Sequence, residues 1–203
     1  MASYQSLTED ELDKNPIIQF EKWYGERLTS GIEIPDAVFL GTSSPSGKVS
    51  VRTVLLKEYD EKGFVFYTNY NSRKASQLIS NHRAALLFYW PESGRQVRIE
   101  GVTIKVSEEE SDDYFRTRPR ESQISSWASD QSSVIPGRQY IEKQYESFRS
   151  IFADRSIPRP GHWGGFRLIP TWFEFWQERE FRMHDRLTYV KRENRWIIER
   201  LAP

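Results

Sequence analysis

The chain has 203 residues, with 29 Lys+Arg against 29 Asp+Glu and a formal net charge of +0. That length supplies one sizeable core, and the balanced charge argues against nucleic acid or an anionic membrane surface as the main partner. The absence of cysteine excludes disulfides and thiolate metal sites.

The opening MASYQSLTEDELDKN is acidic and lacks a signal peptide's apolar stretch. No apolar run approaches the ~18 residues of a membrane span. A soluble, cytoplasmic protein without a metal site is expected. Residues 1–14 read as a loosely ordered segment, and 15–203 as a single domain. Asn15 caps a helix with Pro16 at its first position, and Ile17, Phe20, Tyr24 and Leu28 recur at helical spacing up to Gly31.

From Ala37 the period becomes that of strands: 37–43, then 48–58, then 64–68, separated by Pro45-Ser46-Gly47 and Asp60-Glu61-Lys62-Gly63 turns. A short helix over 71–81 opens with Ser72 as cap. Strands 84–90 and 95–106 follow around Pro91-Glu92-Ser93-Gly94. Ser107 and Glu110 suggest a capping box for a helix to about Thr117, which Pro119 breaks. Helices over 121–129 and 137–152 come next, the second with Ile141, Tyr145, Phe148 and Phe152 as its apolar face. Strands over 163–170, 171–177, 186–191 and 196–201 return. Strands, a helical insertion and strands again indicate an α+β, mostly β domain with an antiparallel sheet or barrel completed late.

The stretch EFWQEREFRMHDR at 174–186 concentrates Arg179, Arg182, His184, Asp185 and Arg186 behind an aromatic strand. Read as extended chain, alternation puts Arg182 and His184 on one face and Met183 and Asp185 on the other. Arginine offers a planar fork of donors, and histidine exchanges a proton near neutral pH. A solvated charged hairpin is the plain alternative. Arg52 and Lys57 bracket the apolar run 53–56 and suit an anion across the strand, or snorkel to water. Ser72-Arg73-Lys74 at a helix start, after Tyr67 and Thr68, suits a phosphate. Tyr114, Arg118 and Ser122 converge where a helix breaks and suit a second one. Trp127, Gln131 and Ser132 offer donors and acceptors to a heterocycle. The paired glycines of GHWGG at 161–165 allow a close approach of another backbone or ring, and His162 and His82 take no role.

These pieces, in this order, resemble the pyridoxamine 5′-phosphate oxidase family. The resemblance is carried by RTVLLK at 52–57, FYTNYNSRKA at 66–75, RQVRIEG at 95–101, YFRTRPRESQISSWASDQSS at 114–133, WGGFRL at 163–168, EFWQ at 174–177, RMHDR at 182–186 and the final RLAP. It implies an FMN-binding split β-barrel working as a homodimer with FMN at the interface. It implies oxidation of pyridoxamine or pyridoxine 5′-phosphate to pyridoxal 5′-phosphate, with O2 as acceptor and H2O2 as product. Carried over by motif, FMN is held by Arg52, Thr53, Val54, Leu55, Leu56 and Lys57, and by Tyr67, Thr68, Arg73 and Lys74. Gln96, Gln131, Ser132, Trp176 and Arg186 complete that set. The substrate phosphate meets Lys57, Tyr114, Arg118 and Ser122, while Arg182, Met183 and His184 meet the substrate ring, Arg182 and His184 as the catalytic pair.

Two departures stand out. Glu178 occupies a position where the family has glycine, and is strained if the backbone there requires positive φ. Met183 replaces a leucine, a mild change. A basic lid segment found in some members is missing, with Tyr4 left unassigned. The competing readings are a flavin reductase-like split barrel with another substrate, and a non-catalytic FMN- or pyridoxal-phosphate-binding protein.

Overall fold

The computed structural model describes residues 6–193 and 195–203; Tyr4 lies outside them. Helix α1 (Pro16–Leu28) starts as expected, the Asn15 side chain accepting from Ile17 N. Nine strands follow: β1 (Ala37–Ser43), β2 (Val49–Leu55), β3 (Glu58–Asp60), β4 (Gly63–Asn69), β5 (Arg83–Trp90), β6 (Arg95–Lys105), β7 (Trp163–Gln177), β8 (Asp185–Arg192) and β9 (Arg195–Arg200). Helix α2 (Arg73–Ser80) lies between β4 and β5. Helices α3 (Glu108–Thr117), α4 (Arg120–Ala128) and α5 (Arg138–Phe152) form the insertion before β7.

All strands join one antiparallel sheet in the order β2-β1-β5-β6-β7-β4-β3, with β8 on β7 and β9 on β8. The sheet curls into a half-barrel, and its two edges meet where Lys57 N donates to Val65 O at 2.9 Å. Strand β7 is the pivot. The expected strands 163–170 and 171–177 are one continuous strand, along one edge of which β6 runs. Its other edge changes partner, taking β4 up to Leu168 and β8 from Trp172. Pro170 falls in the gap between those partners, where a proline is tolerated. A register shift at Glu100/Gly101 lies opposite, and a Cβ on Gly101 would run into the Ile169 carbonyl. The expected strand 48–58 is also divided. Leu56 and Lys57 leave the β2 ladder, Leu56 N donating to Asp36 O at 2.8 Å, before β3 begins.

Phe20 of α1 plugs the half-barrel, its ring within 5.1 Å of Tyr24, Phe64 and Phe88 centroids. The segment before α1 departs from expectation. Leu7 and Leu12 are buried in this core, Leu7 N donates to Asp185 Oδ2, and Tyr189 donates to the Asp13 carbonyl at 2.6 Å. Arg200 reaches both Glu9 and Asp185. Replacing Leu12 by Ala is therefore expected to destabilise the fold by about 2–3 kcal/mol, measurable by urea unfolding; a loosely attached segment would give no change.

Candidate active site

A groove of about 660 Å3 opens between the barrel and the helical insertion. Thr53, Val54, Leu55 and Lys57 of the first sheet edge line it, with Tyr67, Thr68, Lys74, Tyr114, Arg118, Ser122 and Gln131. Two motifs expected to bind separate phosphates thus share one cavity. Among the described residues its cations are Lys57, Lys74 and Arg118, and no carboxylate lines it.

One end is built on α2. Ser72 caps the helix, accepting from Ala75 N. Gln77 anchors it, its Oε1 accepting from Thr42 at 2.6 Å and from Ser50 at 2.7 Å. Those two hydroxyls also accept from Arg52, which bonds the Leu40 carbonyl as well. Lys74 donates to Thr68 Oγ1 at 3.1 Å and Gln131 Oε1 at 3.0 Å. Every one of these bonded partners is a neutral oxygen. Burial, with Arg52 close by, pushes the Lys74 ammonium down to about 8, and burial followed by Arg73 lowers Arg52. Arg73 itself is exposed. A cluster of cations without a carboxylate is an electrostatic demand for an anion.

The other end is built on the α3–α4 break. Arg118 lies over the Trp163 ring at 4.5 Å and donates to Ser126 Oγ at 2.6 Å. Burial lowers its pKa. Lys57 pairs with Asp36 at 2.6 Å. The Tyr114 hydroxyl is raised by burial, while Lys57 and Arg118 pull it down. Between the ends, Tyr67 stacks on Tyr114 at 4.0 Å and on Trp163 at 5.4 Å, giving the groove a flat aromatic wall. Gly165 makes this possible, because a Cβ there would strike the Tyr67 ring.

Several expected residues stand elsewhere. Leu56 is buried in the core, and Ser132 is exposed with φ 76 just outside the groove. Trp127 is not free for a ligand; its indole N–H donates to Pro158 O at 2.8 Å and its ring packs on Phe148 and Phe152. Gln96, Trp176 and Arg186 form a cross-strand row on β6, β7 and β8, with Tyr89 at its end. His184 lies against Trp176 at 4.5 Å. This row sits at the far end of β7 from Trp163, roughly 40 Å of strand away, so one chain does not bring it to its own groove.

The alternation assigned to 182–185 does not hold either. Glu180–Arg182 is a tight helical turn, Phe181 and Arg182 have φ 55 and 62, and β8 starts only at Asp185. Glu178 is not strained: it is absent from the positive-φ residues, and its N–H donates to Gly94 O at 2.8 Å. The strain sits instead on Phe181 and Arg182, non-glycine residues in the left-handed region. His184 Nδ1 accepts from Arg179 N at 3.2 Å, so the neutral ring carries its proton on Nε2. Phe181, Arg182 and Met183 are exposed.

Sequence reasoning overlooked Trp163, Ser126 and Asp36. Trp163 was visible in GHWGG as an aromatic beside the glycines; Ser126 and Asp36 carry no local signal.

The family model described as "Pyridoxamine 5'-phosphate oxidase" matches residues 25–152, and "Pyridoxine 5'-phosphate oxidase C-terminal dimerisation region" matches 163–203. The chain belongs to the pyridoxamine 5′-phosphate oxidase family. A "Pyridoxine/pyridoxamine 5'-phosphate oxidase" of Nostoc punctiforme is 52% identical, covering 98% of this chain and 94% of its own. One from Rubrobacter xylanophilus is 50% identical over 97% and 91%. The crystal structure of PhzG from Burkholderia lata, in complex with tetrahydrophenazine-1-carboxylic acid, superposes with a TM-score of 0.92 at 29% identity over 100% of both chains. A pyridoxamine 5′-phosphate oxidase-related, FMN-binding protein of Nostoc punctiforme shares the fold, at TM-score 0.73 and 17% identity over 93% and 98%. The antiparallel half-barrel is thus the split barrel of this family.

The Lys74 environment gives a signed pH effect. Its folded pKa of about 8 lies below the ordinary lysine value of 10.5, so the buried charge destabilises the ligand-free fold below pH 8, and this penalty fades as pH rises toward 10.5. Lys74→Met is expected to melt above the parent at pH 7, with the gap closing through that window. A gap that stays constant in thermal melts would contradict it.

Proposed function

We propose that this protein oxidises pyridoxamine 5′-phosphate or pyridoxine 5′-phosphate to pyridoxal 5′-phosphate, with FMN as cofactor and O2 as the electron acceptor. The observation that carries this reading is the single groove with a carboxylate-free cationic cluster at one end, Lys57, Tyr114 and Arg118 at the other, and stacked rings between. Two phosphorylated flat molecules match that distribution of charge and shape.

The donor set fits FMN. Arg52, Arg73 and Lys74, with the first turn of α2, would hold its phosphate, since Lys74 and Arg52 have only neutral partners to displace. Thr53, Val54, Leu55, Thr68 and Gln131 would flank the rest. When bound, FMN supplies the redox chemistry, accepting the two electrons and hydrogen that leave the substrate carbon, which O2 takes on as hydrogen peroxide. Lys57, Tyr114, Arg118 and Ser122 would grip the substrate phosphate and fix the register of its ring.

Arg182 and His184 would come from the second subunit of a homodimer. The outer face of β2 exposes Val49, Val51, Thr53 and Leu55 in alternation, and Phe39 and Tyr89 continue it across the sheet, 43% and 50% exposed. This apolar face runs from the groove's edge toward the Gln96–Trp176–Arg186 row. A two-fold contact through it sets each chain's row over its partner's groove. Arg182 would then hold the substrate and stabilise charge at the reacting carbon. His184, donating through Nε2, would position the amine or hydroxyl. The rings of Tyr67, Tyr114 and Trp163 wall that space from water.

Purified protein is expected to show a flavin spectrum and to consume O2 with pyridoxamine 5′-phosphate, forming peroxide and aldehyde. Bound flavin without turnover would leave only a binding protein. Arg182→Ala is expected to stay yellow while kcat/KM falls roughly a hundredfold. Joint replacement of Arg73 and Lys74 by Ala should instead release FMN on dialysis. If the first variant lost flavin and the second retained it, the division between the two sets of residues would be wrong.

A further inference from the structure

Lys57 enters the groove with a carboxylate already attached. Its Nζ stands 2.6 Å from Asp36 Oδ2, with side chains 26% and 23% exposed. Asp36 is fixed by the sheet: its carbonyl accepts from Leu56 N, and the next residue, Ala37, opens β1 opposite Leu55. The contrast with the other groove cations is sharp. Lys74 and Arg118 have neutral bonded partners, whereas Lys57 is already half neutralised. The carboxylate acts beyond Lys57 as well, since Asp36 raises the Tyr114 hydroxyl against the pull of Lys57 and Arg118.

We propose that Asp36 sets the affinity for the phosphorylated ligand, as an internal counter-anion that holds Lys57 and shares that ammonium with the incoming phosphate. The inference rests on the reading above, in which Lys57, Tyr114 and Arg118 take the substrate phosphate. Two effects oppose each other. Asp36 restrains a flexible lysine, and that order helps binding. The same carboxylate faces a dianion across one ammonium, in a setting three-quarters shielded from solvent, and this repulsion hinders binding. Repulsion prevails because Asp36 is held by the sheet beside the ammonium, within the same shielded setting that the phosphate must enter. The phosphate is chemically the same before and after oxidation. Asp36 therefore weakens substrate and product alike, and keeps product release from being throttled by the phosphate grip.

Calorimetric titration of pyridoxal 5′-phosphate into FMN-loaded parent and Asp36→Asn protein tests this. The variant is expected to bind about five- to tenfold tighter at low salt, a gap that narrows as salt is raised, and its KM for pyridoxamine 5′-phosphate falls in parallel. Unphosphorylated pyridoxal should bind both proteins equally. Weaker or unchanged binding in Asp36→Asn would overturn the proposal. A parent that binds no phosphorylated pyridoxal contradicts the functional reading instead. Inorganic phosphate titrated into the same pair then decides Asp36 alone, with tighter binding in the Asn variant supporting the counter-anion and any other result rejecting it.

Discussion

Positive charge without a negative partner is the constraint on which this structure turns. Lys74, Arg52 and Arg118 are drawn partly out of water, and each bonds only to hydroxyl, amide or carbonyl oxygens. Such an arrangement costs stability in the empty protein. Elsewhere the same chain pairs its arginines freely, as in Arg167 with Asp60 and Glu110, or Arg200 with Glu9 and Asp185. The groove thus departs from the chain's own habit, in the direction that an anionic ligand would correct. The scaffold that maintains it is specific. Gln77 ties α2 to β1 and β2 through Thr42 and Ser50, and Gly165 of β7 admits Tyr67, which walls the cavity.

On the proposed reading, the site is divided along the chain. Strand β7 carries Trp163 at one end and Trp176 at the other, pairing with β4 along the first stretch and β8 along the second. A single half-barrel has the groove at one end and the Gln96–Trp176–Arg186 row at the other, with an apolar sheet face between them. On the proposed reading, the second copy converts this geometry from a separation into a complete site. Strain at Phe181 and Arg182 falls in the loop that would reach across, where a preset backbone reduces the ordering needed on assembly.

Much of this was legible in the residues. Caps at Asn15 and Ser72 and glycine-rich turns marked the elements, because each has a local cause within a few residues of its effect. The basic clusters at 73–74 and 114–122 were recognisable one by one as candidates for an anion. Four features were not. The order of residues 7–13 depends on Arg200 and Tyr189, nearly the whole chain away. Alternation at 182–185 failed because positive φ at two non-glycine residues overrides the strand period, and no side chain there announces it. Trp127, legible as a ligand group, is consumed by Pro158. Asp36 stayed hidden because its meaning comes from the register of β1 on β2, which places it beside Lys57.

The central claim is that groove and Arg182–His184 loop work together only across two copies. Subunit mixing tests it most directly. An Arg182→Ala chain retains an intact groove, and a Lys57→Ala, Arg118→Ala chain retains an intact loop; each alone should be nearly inactive. After subunit exchange at equal amounts, random pairing restores one intact site in each mixed dimer, so about a quarter of parental activity should return. No recovery, with exchange confirmed by native mass spectrometry, would place both halves of the site within one chain and contradict the account.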